Sequence, residues 1–343
     1  MGKFGRFVLK AVLAFAMLAV LLLCGISMFT GEKHNGNGNQ NEADYLITVG
    51  FSQSGEDTSW KAANTESFME TFIEENGYEL IFSDAGTDQE KQLADVEHFI
   101  ERNVDYIILN PVVETGWDEV LEEAKKARIP VILINNRIDE EESSLYQCWI
   151  GSDYEKQTRE AGKWLAKYLE EKDRENEDIT MAAIQGSIGT PEQMERAEGY
   201  QSMLEKHGKW NMRAQLTGEG TREDGKEVME LFLENYHKLE VVFAESDEMA
   251  LGAIEAVREA GMSCGPDGDI ILISFGGSKE GLQAIVDGKL NVTFEKNPVQ
   301  APKAAEIVQK LDAGVSIDRI QYVDEGYYDN TMELEKTIDQ RTY

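Results

Sequence analysis

The chain of 343 residues carries 65 Asp or Glu side chains against 33 Lys or Arg, which gives a formal net charge of −32 at pH 7. So acidic a chain argues against nucleic acid as a partner, because phosphate binding depends on clustered Lys and Arg, and against broad attraction to anionic lipid. A hydrophobic content of 41% with only six prolines indicates a folded body rather than a disordered one.

The N-terminal residues predict export from the cytoplasm. Lys3, Arg6 and Lys10 precede a stretch without charged side chains at 11–29, and a basic flank before an apolar core is typical of a secretory signal. Cys24 follows three leucines, where bacterial lipoprotein precursors carry the cysteine that is lipidated. We therefore predict lipidation at Cys24, with residues 1–24 as the signal or anchor.

Two other interpretations of the apolar stretch stay open. Its 19 residues approach the roughly 20 that span a bilayer, so it could remain as an uncleaved anchor, or it could be an ordinary cleaved signal. All three alternatives place the body outside the cytoplasm. Residues 25–44 are expected to be a flexible linker that holds the body away from the membrane, because the part at 31–44 contains no apolar cluster.

From residue 46 the chain alternates short apolar runs with amphipathic stretches of helical length. The predicted strands are 46–52, 78–83, 106–109, 130–134, 180–184, 213–216, 241–244 and 270–274. The predicted helices are 88–102, 117–127, 190–206, 222–236 and 247–260. This alternation predicts an α/β fold class with doubly wound parallel sheets covered by helices on both faces. A body of roughly 300 residues favours two lobes.

No catalytic or metal-binding motif is evident. The chain lacks GxSxG, GxxxxGK[ST], HExxH and CxxC, and the glycines at 186 and 189 lack the third glycine of a dinucleotide fingerprint. Its four histidines are scattered. We therefore expect neither an enzyme nor a cofactor or metal. Cys148 and Cys264 are interpreted as small buried side chains, and a disulfide between them stays open.

The loops at the carboxyl ends of the strands are the expected ligand site, as in other open parallel sheets. The ring of Trp60 can stack on the apolar face of a sugar, while polar groups such as those of Asp57 and Lys61 bond its hydroxyls. Arg196 lies at a helix start after the fifth strand and adds a guanidinium. A Trp60 ring packed into its own lobe, and Arg196 as a surface residue, are the structural alternatives.

Four segments carry a family resemblance. They are VGFSQSG at 49–55 followed by Trp60, NPVVETGW at 110–117, AKKARIPV at 124–131 and GKEVM at 225–229. The chain resembles periplasmic sugar-binding proteins of the ribose/galactose type, and in particular the galactofuranose-binding member. The resemblance implies a monomeric solute-binding component of an ABC transporter, whose lobes close on a monosaccharide.

The resemblance also implies a periplasmic-binding-protein type I fold with a three-segment hinge. We expect an N-terminal lobe of 45–151 with 295–320 and a C-terminal lobe of 152–294 with 321–343. The crossovers are predicted near 151–153, 274–276 and 295–296.

Carried over by position, the resemblance implies ligand contacts from both lobes. These are Asp57, Thr58, Trp60 and Lys61 after the first strand, Arg196 as a guanidinium clamp, Asp247 as the acidic member of an Asn-Asp pair, and Glu295 at a crossover.

The chain departs from the family pattern at several of these positions. Asn135 and Asn136 stand where an Asp-Arg pair is common, with Arg137 displaced by one residue. Ser246 replaces the asparagine before Asp247, and Gly276 replaces an aspartate after the eighth strand. These positions belong to the candidate pocket, and the changes predict a different ligand, because losing a charged partner in a buried pocket costs roughly 1.5–3 kcal/mol per hydrogen bond.

The leading hypothesis is a receptor that binds a monosaccharide and delivers it to an ABC permease. The alternative is a sensor whose closed form signals to a membrane histidine kinase. An intracellular repressor is disfavoured, because the residues before the core form an apolar run and a linker rather than a helix-turn-helix.

Overall fold

The structure, a computed structural model, describes residues 45–56, 58–139 and 144–343. The predicted signal or anchor, the linker, the lipidation site Cys24 and the candidate ligand residue Asp57 lie outside the described residues.

Strands and helices alternate along the described chain. The strands are β1 Ile47–Gln53, β2 Tyr78–Asp84, β3 Tyr106–Leu109, β4 Val131–Ile134, β5 Cys148–Gly151, β6 Ile179–Gln185, β7 Trp210–Thr217, β8 Val241–Ala244, β9 Ile271–Gly276, β10 Val292–Glu295, β11 Ile320–Tyr322 and β12 Tyr327–Asp329. The α-helices are α1 Ser59–Thr71, α2 Gln89–Glu101, α3 Asp118–Ala127, α4 Tyr154–Glu171, α5 Pro191–Lys206, α6 Arg222–Asn235, α7 Asp247–Glu259, α8 Lys279–Val286, α9 Ala301–Asp312 and α10 Glu335–Gln340. A short 3-10 turn, Glu74–Asn76, precedes β2.

The strands form two six-stranded sheets. The first has the order β11-β5-β4-β3-β1-β2 and is parallel throughout. The second has the order β12-β10-β9-β8-β6-β7 and is parallel except for the edge strand β12. We call the first sheet with α1, α2, α3 and α9 lobe 1, and the second sheet with the remaining α-helices lobe 2. This architecture confirms the predicted fold class.

Side chains of one strand alternate between two cores, as the period of a β-strand requires. In β3, Ile107 and Leu109 belong to a cluster with Phe99 of α2. Ile108 between them belongs to the opposite cluster with Phe68 of α1. Helices on both faces therefore explain why this strand is an uninterrupted apolar run.

The chain passes between the sheets three times, at 152–153, 296–300 and 323–326. The crossover predicted at 274–276 is wrong, because those residues end β9, and β10, which follows α8, pairs with β9 in the same sheet. A carboxylate joins the three real crossovers. Glu325 accepts hydrogen bonds from Ser152 Oγ at 2.7 Å, from Asn297 N at 2.9 Å and from Gln157 Nε2 at 2.5 Å.

Cys148 and Cys264 are both buried and unpaired, so the disulfide left open by the sequence is not formed. Burial raises the pKa of each thiol to about 12. Within the described ranges, no group of three or more His, Cys, Asp or Glu side chains could hold a metal ion. The helices of the described residues include none with the length and apolar character needed to cross a membrane.

Candidate functional site

A cleft of about 520 Å³ lies between the carboxyl ends of the two sheets, as expected for parallel sheets. Both lobes contribute its walls. Eight of the predicted site residues line it: Thr58, Trp60, Asn135, Asn136, Arg137, Ser246, Asp247 and Gly276. Lys61, Arg196 and Glu295 lie behind these walls.

Trp60 stands at the start of α1, where the Thr58 hydroxyl caps the helix by accepting a hydrogen bond from Lys61 N at 3.2 Å. The indole Nε1 donates to the carbonyl oxygen of Lys296 at 2.9 Å. Trp60 therefore joins lobe 1 to a crossover segment while its ring faces the cleft. Lys61 is buried, and its Nζ is bonded to the carbonyl oxygen of Gly55 at 2.8 Å, which makes it a support for this loop.

The loop after β4 presents two amides. Asn135 adopts a left-handed conformation with φ 56°, which asparagine tolerates better than most residues. Its backbone carbonyl oxygen accepts a hydrogen bond from Trp149 Nε1 at 3.1 Å, and its side-chain Nδ2 donates to Asn136 Oδ1 at 3.2 Å. Asn136 Nδ2 donates to the carbonyl oxygen of Pro111 at 2.9 Å. Both amides are thus held in place on the wall of lobe 1.

A chain of buried amides continues behind Asn136. Its backbone N contacts Asn110 Oδ1 at 3.4 Å, and Asn110 Nδ2 donates to Gln53 Oε1 at 2.6 Å. Gln53 Nε2 donates to Asn64 Oδ1 at 2.9 Å, and Asn64 Nδ2 donates to the carbonyl oxygen of Pro298 at 2.7 Å. This row of amides links the cleft wall to a crossover, and it was not predicted from the sequence.

Arg137 bridges the two lobes. Its guanidinium carbon lies 4.0 Å from the ring centre of Trp149 in lobe 1, and Nη1 lies 2.7 Å from Glu195 Oε1 on α5 of lobe 2. Burial raises the pKa of Glu195, although Arg137 opposes that shift. Arg137 lines the cleft, and its pair with Glu195 links the two lobes beside it.

Arg196 is fully buried beneath the cleft. Its guanidinium carbon lies 3.9 Å from the ring centre of Phe275 and 5.0 Å from that of Tyr154. Nη2 donates to Glu192 Oε1 at 3.0 Å and to Gln157 Oε1 at 3.2 Å. The structure therefore places Arg196 under aromatic rings that line the cleft, and not on the surface.

Glu192 lies one turn before Arg196 on α5 and forms an ion cluster with Arg196 and Lys296. Lys296 Nζ lies 2.7 Å from Glu192 Oε2. Although burial disfavours the charge of Glu192, Lys296 and Arg196 together lower the pKa of its carboxyl to about 2. Burial likewise opposes the charge of Lys296, but Glu192 raises the pKa of this ammonium group above its usual range. The four-residue spacing on α5 is the only sequence signal for this cluster.

Glu245 follows β8 directly and was not predicted. Its side chain lines the cleft, yet the residue is only 5% exposed. Oε2 accepts a hydrogen bond from Gly186 N at 2.9 Å. Burial raises the pKa of this carboxyl to about 7, against the opposing charge of Arg196.

Asp247 is bonded within the protein. Its carboxylate accepts hydrogen bonds from Ser274 Oγ at 2.5 Å, Thr293 Oγ1 at 2.7 Å and Ser278 N at 2.7 Å. A Cβ atom at Gly276 would lie 2.6 Å from Asp247 Oδ2. The glycine that departs from the family pattern therefore leaves room for the Asp247 carboxylate.

Ser246 and Glu295 also have structural partners. Ser246 Oγ caps α7 by accepting a hydrogen bond from Met249 N at 3.1 Å. Glu295 Oε1 accepts from Arg341 Nη1 at 2.8 Å and from Tyr343 OH at 3.2 Å. Tyr343 in turn lines the cleft, so Glu295 acts on the cleft through this ring.

Comparisons with known proteins agree with this geometry. The family described as periplasmic binding protein domain matches residues 49–314. The galactofuranose-binding protein YtfQ of Escherichia coli (strain K12) is 34% identical over 267 residues, which cover 77% of this chain and 81% of that protein.

Two solved structures are similar over most of the chain. One, from Mycobacterium smegmatis in complex with β-D-fucofuranose, is 36% identical, covers 83% of this chain and 92% of its own, and has a TM-score of 0.72. The other is the binding component of the arabinose ABC transporter from Shewanella sp. ANA-3, bound to α- and β-L-arabinofuranose. It is 33% identical, covers 86% and 95% of the two chains, and has a TM-score of 0.75. The named relatives are binding proteins, which confirms the resemblance and the expectation that the chain is not an enzyme.

Proposed function

Because the chain belongs to the periplasmic binding protein family, we propose that it is an extracytoplasmic solute-binding protein that captures a monosaccharide between its lobes and delivers it to an ABC permease. The observation that carries the proposal is a cleft walled by both lobes, with aromatic rings and polar groups on each side. Rings of this kind stack on the apolar face of a sugar, and amides and charged groups bond its hydroxyls.

We propose a furanose as the ligand. The support is that similar solved structures hold β-D-fucofuranose and L-arabinofuranose, and that a relative is named for galactofuranose. The neutral amides of Asn135 and Asn136, in place of a charged pair, favour a member of this class other than galactofuranose itself.

Among the predicted residues that line the cleft, we retain seven as proposed ligand contacts: Thr58, Trp60, Asn135, Asn136 and Arg137 from lobe 1, and Ser246 and the backbone of Gly276 from lobe 2. Lys61, Asp247 and Glu295 are assigned to support of the walls, because their polar groups are bonded inside the protein. Arg196 is assigned to the same role, because its Nη2 is bonded to Glu192 and the ring of Phe275 covers its guanidinium.

Titration calorimetry with D-galactose, L-arabinose, D-fucose and D-ribose tests the proposal by measuring the Kd of each sugar. In unfolding experiments, a sugar that binds should raise the free energy of unfolding by about 2.7 kcal/mol at 100 times its Kd. Trp60→Leu should weaken binding at least tenfold, since aromatic contacts dominate such sites. Trp164→Leu is the matched control, because Trp164 also makes a single indole hydrogen bond, 2.9 Å to Asp329 Oδ2, away from the cleft. Equal affinity of the two variants would contradict the proposed site.

Delivery to a permease is tested by uptake of the sugar that binds. Deletion of the protein should abolish uptake by intact cells. Unchanged uptake with a lost transcriptional response to the sugar would favour the sensor that signals to a histidine kinase.

We also propose a monomer tethered to the membrane through a lipid on Cys24. The position of this cysteine after the apolar stretch supports the tether. Mass spectrometry of the purified protein should find the lipid, and Cys24→Ser should move the protein from the membrane fraction to the soluble fraction.

A further inference from the structure

Among the buried polar atoms of lobe 2 that have no hydrogen-bond partner within the described residues, three belong to neighbouring groups: Glu245 Oε1, Arg196 Nη1 and Tyr200 OH. The three groups lie near one another, since the charge of Arg196 and the hydroxyl of Tyr200 both lower the pKa of Glu245 against the effect of burial, yet none of these three atoms makes a hydrogen bond to another. A buried polar atom without a partner destabilises the folded protein. Their grouping at one place therefore indicates an atom that arrives from the cleft.

Glu245 is the member of this group that reaches the cleft. It lines the cavity, whereas the ring of Phe275 lies 3.9 Å from the Arg196 guanidinium and covers it. The hydrogen bond from Gly186 N to Oε2 fixes the carboxylate, and Oε1 is a buried acceptor without a hydrogen-bond partner among the described residues.

The charges around Glu245 indicate what it accepts. Glu192 and Glu245 carry two negative charges, and Arg196 and Lys296 carry two positive charges, so the cluster is neutral when Glu245 is ionised. A charged ligand would unbalance this cluster in a buried place, whereas a hydroxyl group donates a hydrogen bond without adding charge.

We propose that Glu245 is a ligand-binding residue whose Oε1 accepts a hydrogen bond from a hydroxyl group of an uncharged polyhydroxy ligand. This inference rests on the proposed function and adds one residue and one chemical requirement to it. Glu245 would select the ligand by requiring a donor at this position, and a deoxy analogue would leave the carboxylate without a partner.

Binding then depends on pH. Burial holds the pKa of Glu245 at about 7 in the free protein, and a donated hydroxyl favours the ionised form, so binding releases a proton. Titratable groups of the surrounding elements are Glu192, Arg196 and Tyr200 of α5, Asp247 of α7, Glu219 after β7 and Lys296 of the crossover. The pKa of Glu192 is about 2, and that of Tyr200 is well above its usual range, so neither titrates between pH 6 and 8.

The test is calorimetry with D-galactose, L-arabinose and D-fucose on wild type, Glu245→Gln and Glu240→Gln. Glu245→Gln should weaken binding about 10- to 100-fold. Wild-type affinity should fall about tenfold from pH 8 to pH 6, and the variant should lose this dependence. Glu240 is the matched control, because it immediately precedes β8 whereas Glu245 immediately follows it. The Glu240 carboxylate accepts a hydrogen bond from Thr180 N at 3.0 Å, and the residue does not line the cleft. Glu240→Gln should keep wild-type affinity within about twofold.

Several results would overturn the inference. Equal binding by wild type and Glu245→Gln would assign the three atoms to an ordered water and would leave the proposed function intact. Tighter wild-type binding at pH 6 than at pH 8 would mean that Glu245 donates a proton instead of accepting one, and this measurement decides the question even if the variant does not fold. Absence of binding by every sugar would overturn the proposed function together with the inference.

Discussion

The two walls of the cleft face one ligand space with different chemistry. Lobe 1 has amides at the cleft and directly behind it, which we call the amide wall: Asn135, Asn136, Asn110, Gln53 and Asn64. Lobe 2 and the adjoining crossover have ions at the cleft and directly beneath it, which we call the ion wall: Glu192, Arg196, Lys296 and Glu245. Amides carry no charge, so their hydrogen bonds persist from pH 5 to 8, whereas buried ions depend on one another and on pH. The difference predicts that lobe 2 carries the pH dependence and the larger mutational effects.

The largest expected effect comes from the centre of the ion wall. Arg196→Met should lower the free energy of unfolding by about 3 kcal/mol, because it removes a fully buried cation and leaves Glu192 with one partner in place of two. Urea unfolding at pH 7.5 measures this. Arg213→Met, at an exposed arginine, should change stability by no more than about 0.5 kcal/mol. Similar values for both variants would show that the ion wall does not stabilise lobe 2.

The second effect is a gain in stability. Burial raises the pKa of Glu245 from 4.5 to about 7, so the folded protein binds this proton more tightly than the unfolded chain. The free energy of unfolding therefore falls as pH rises from 4.5 through 7. Glu245→Gln removes this loss and should be more stable than wild type by about 2 kcal/mol at pH 8, with little difference at pH 5. Denaturant midpoints at both pH values check it, and a variant less stable at pH 8 would contradict it.

A mutation in the amide wall should lower the free energy of unfolding by an amount that does not depend on pH. Gln53→Leu should lower the free energy of unfolding by about 2 kcal/mol, because Asn110 Nδ2 and Asn64 Oδ1 lose their buried partner. The loss should be the same at pH 5 and pH 8. Gln201→Leu, on the exposed side of α5, is the control and should be nearly neutral. A loss that differs between the two pH values would end the contrast between the walls.

Apolar strands between charged helices were the predictable part of the fold. Tyr106–Leu109 and Val241–Ala244 have the predicted bounds, because four consecutive buried apolar residues leave little choice of register or ends. The strand Ile320–Tyr322 was not predicted, since three half-exposed residues at a sheet edge carry no hydrophobic pattern. The wrong crossover has another origin: Val292–Glu295 is a mostly buried inner strand of only four residues, and because it was not recognised as a strand the second sheet was ended too early.

The candidate site was predictable where residues directly follow a strand or open a helix. Trp60, Asn135 and Asn136 reach the cleft for this reason. The ion cluster was not predictable, because it joins Glu192 to Lys296 over 104 positions in a chain with 65 acidic residues. Which carboxylate finds a buried partner is decided by the packing of α5 against a crossover, and no local spacing contains that information.

The smallest expected effect is at the ion pair that joins the two walls. Arg137 and Glu195 are partly exposed, at 30% and 21% of their side chains, so solvent screens their attraction. A double-mutant cycle of Arg137→Gln and Glu195→Gln should give a coupling energy below about 1 kcal/mol in sugar binding. The coupling should fall further when salt is raised from 0.05 to 0.5 M, roughly as the Debye length shortens. A coupling above about 2 kcal/mol that salt does not reduce would mean that the pair is desolvated in the closed protein. The ionic character of lobe 2 would then extend across the cleft to the amide wall, and the two walls could not be treated as separate.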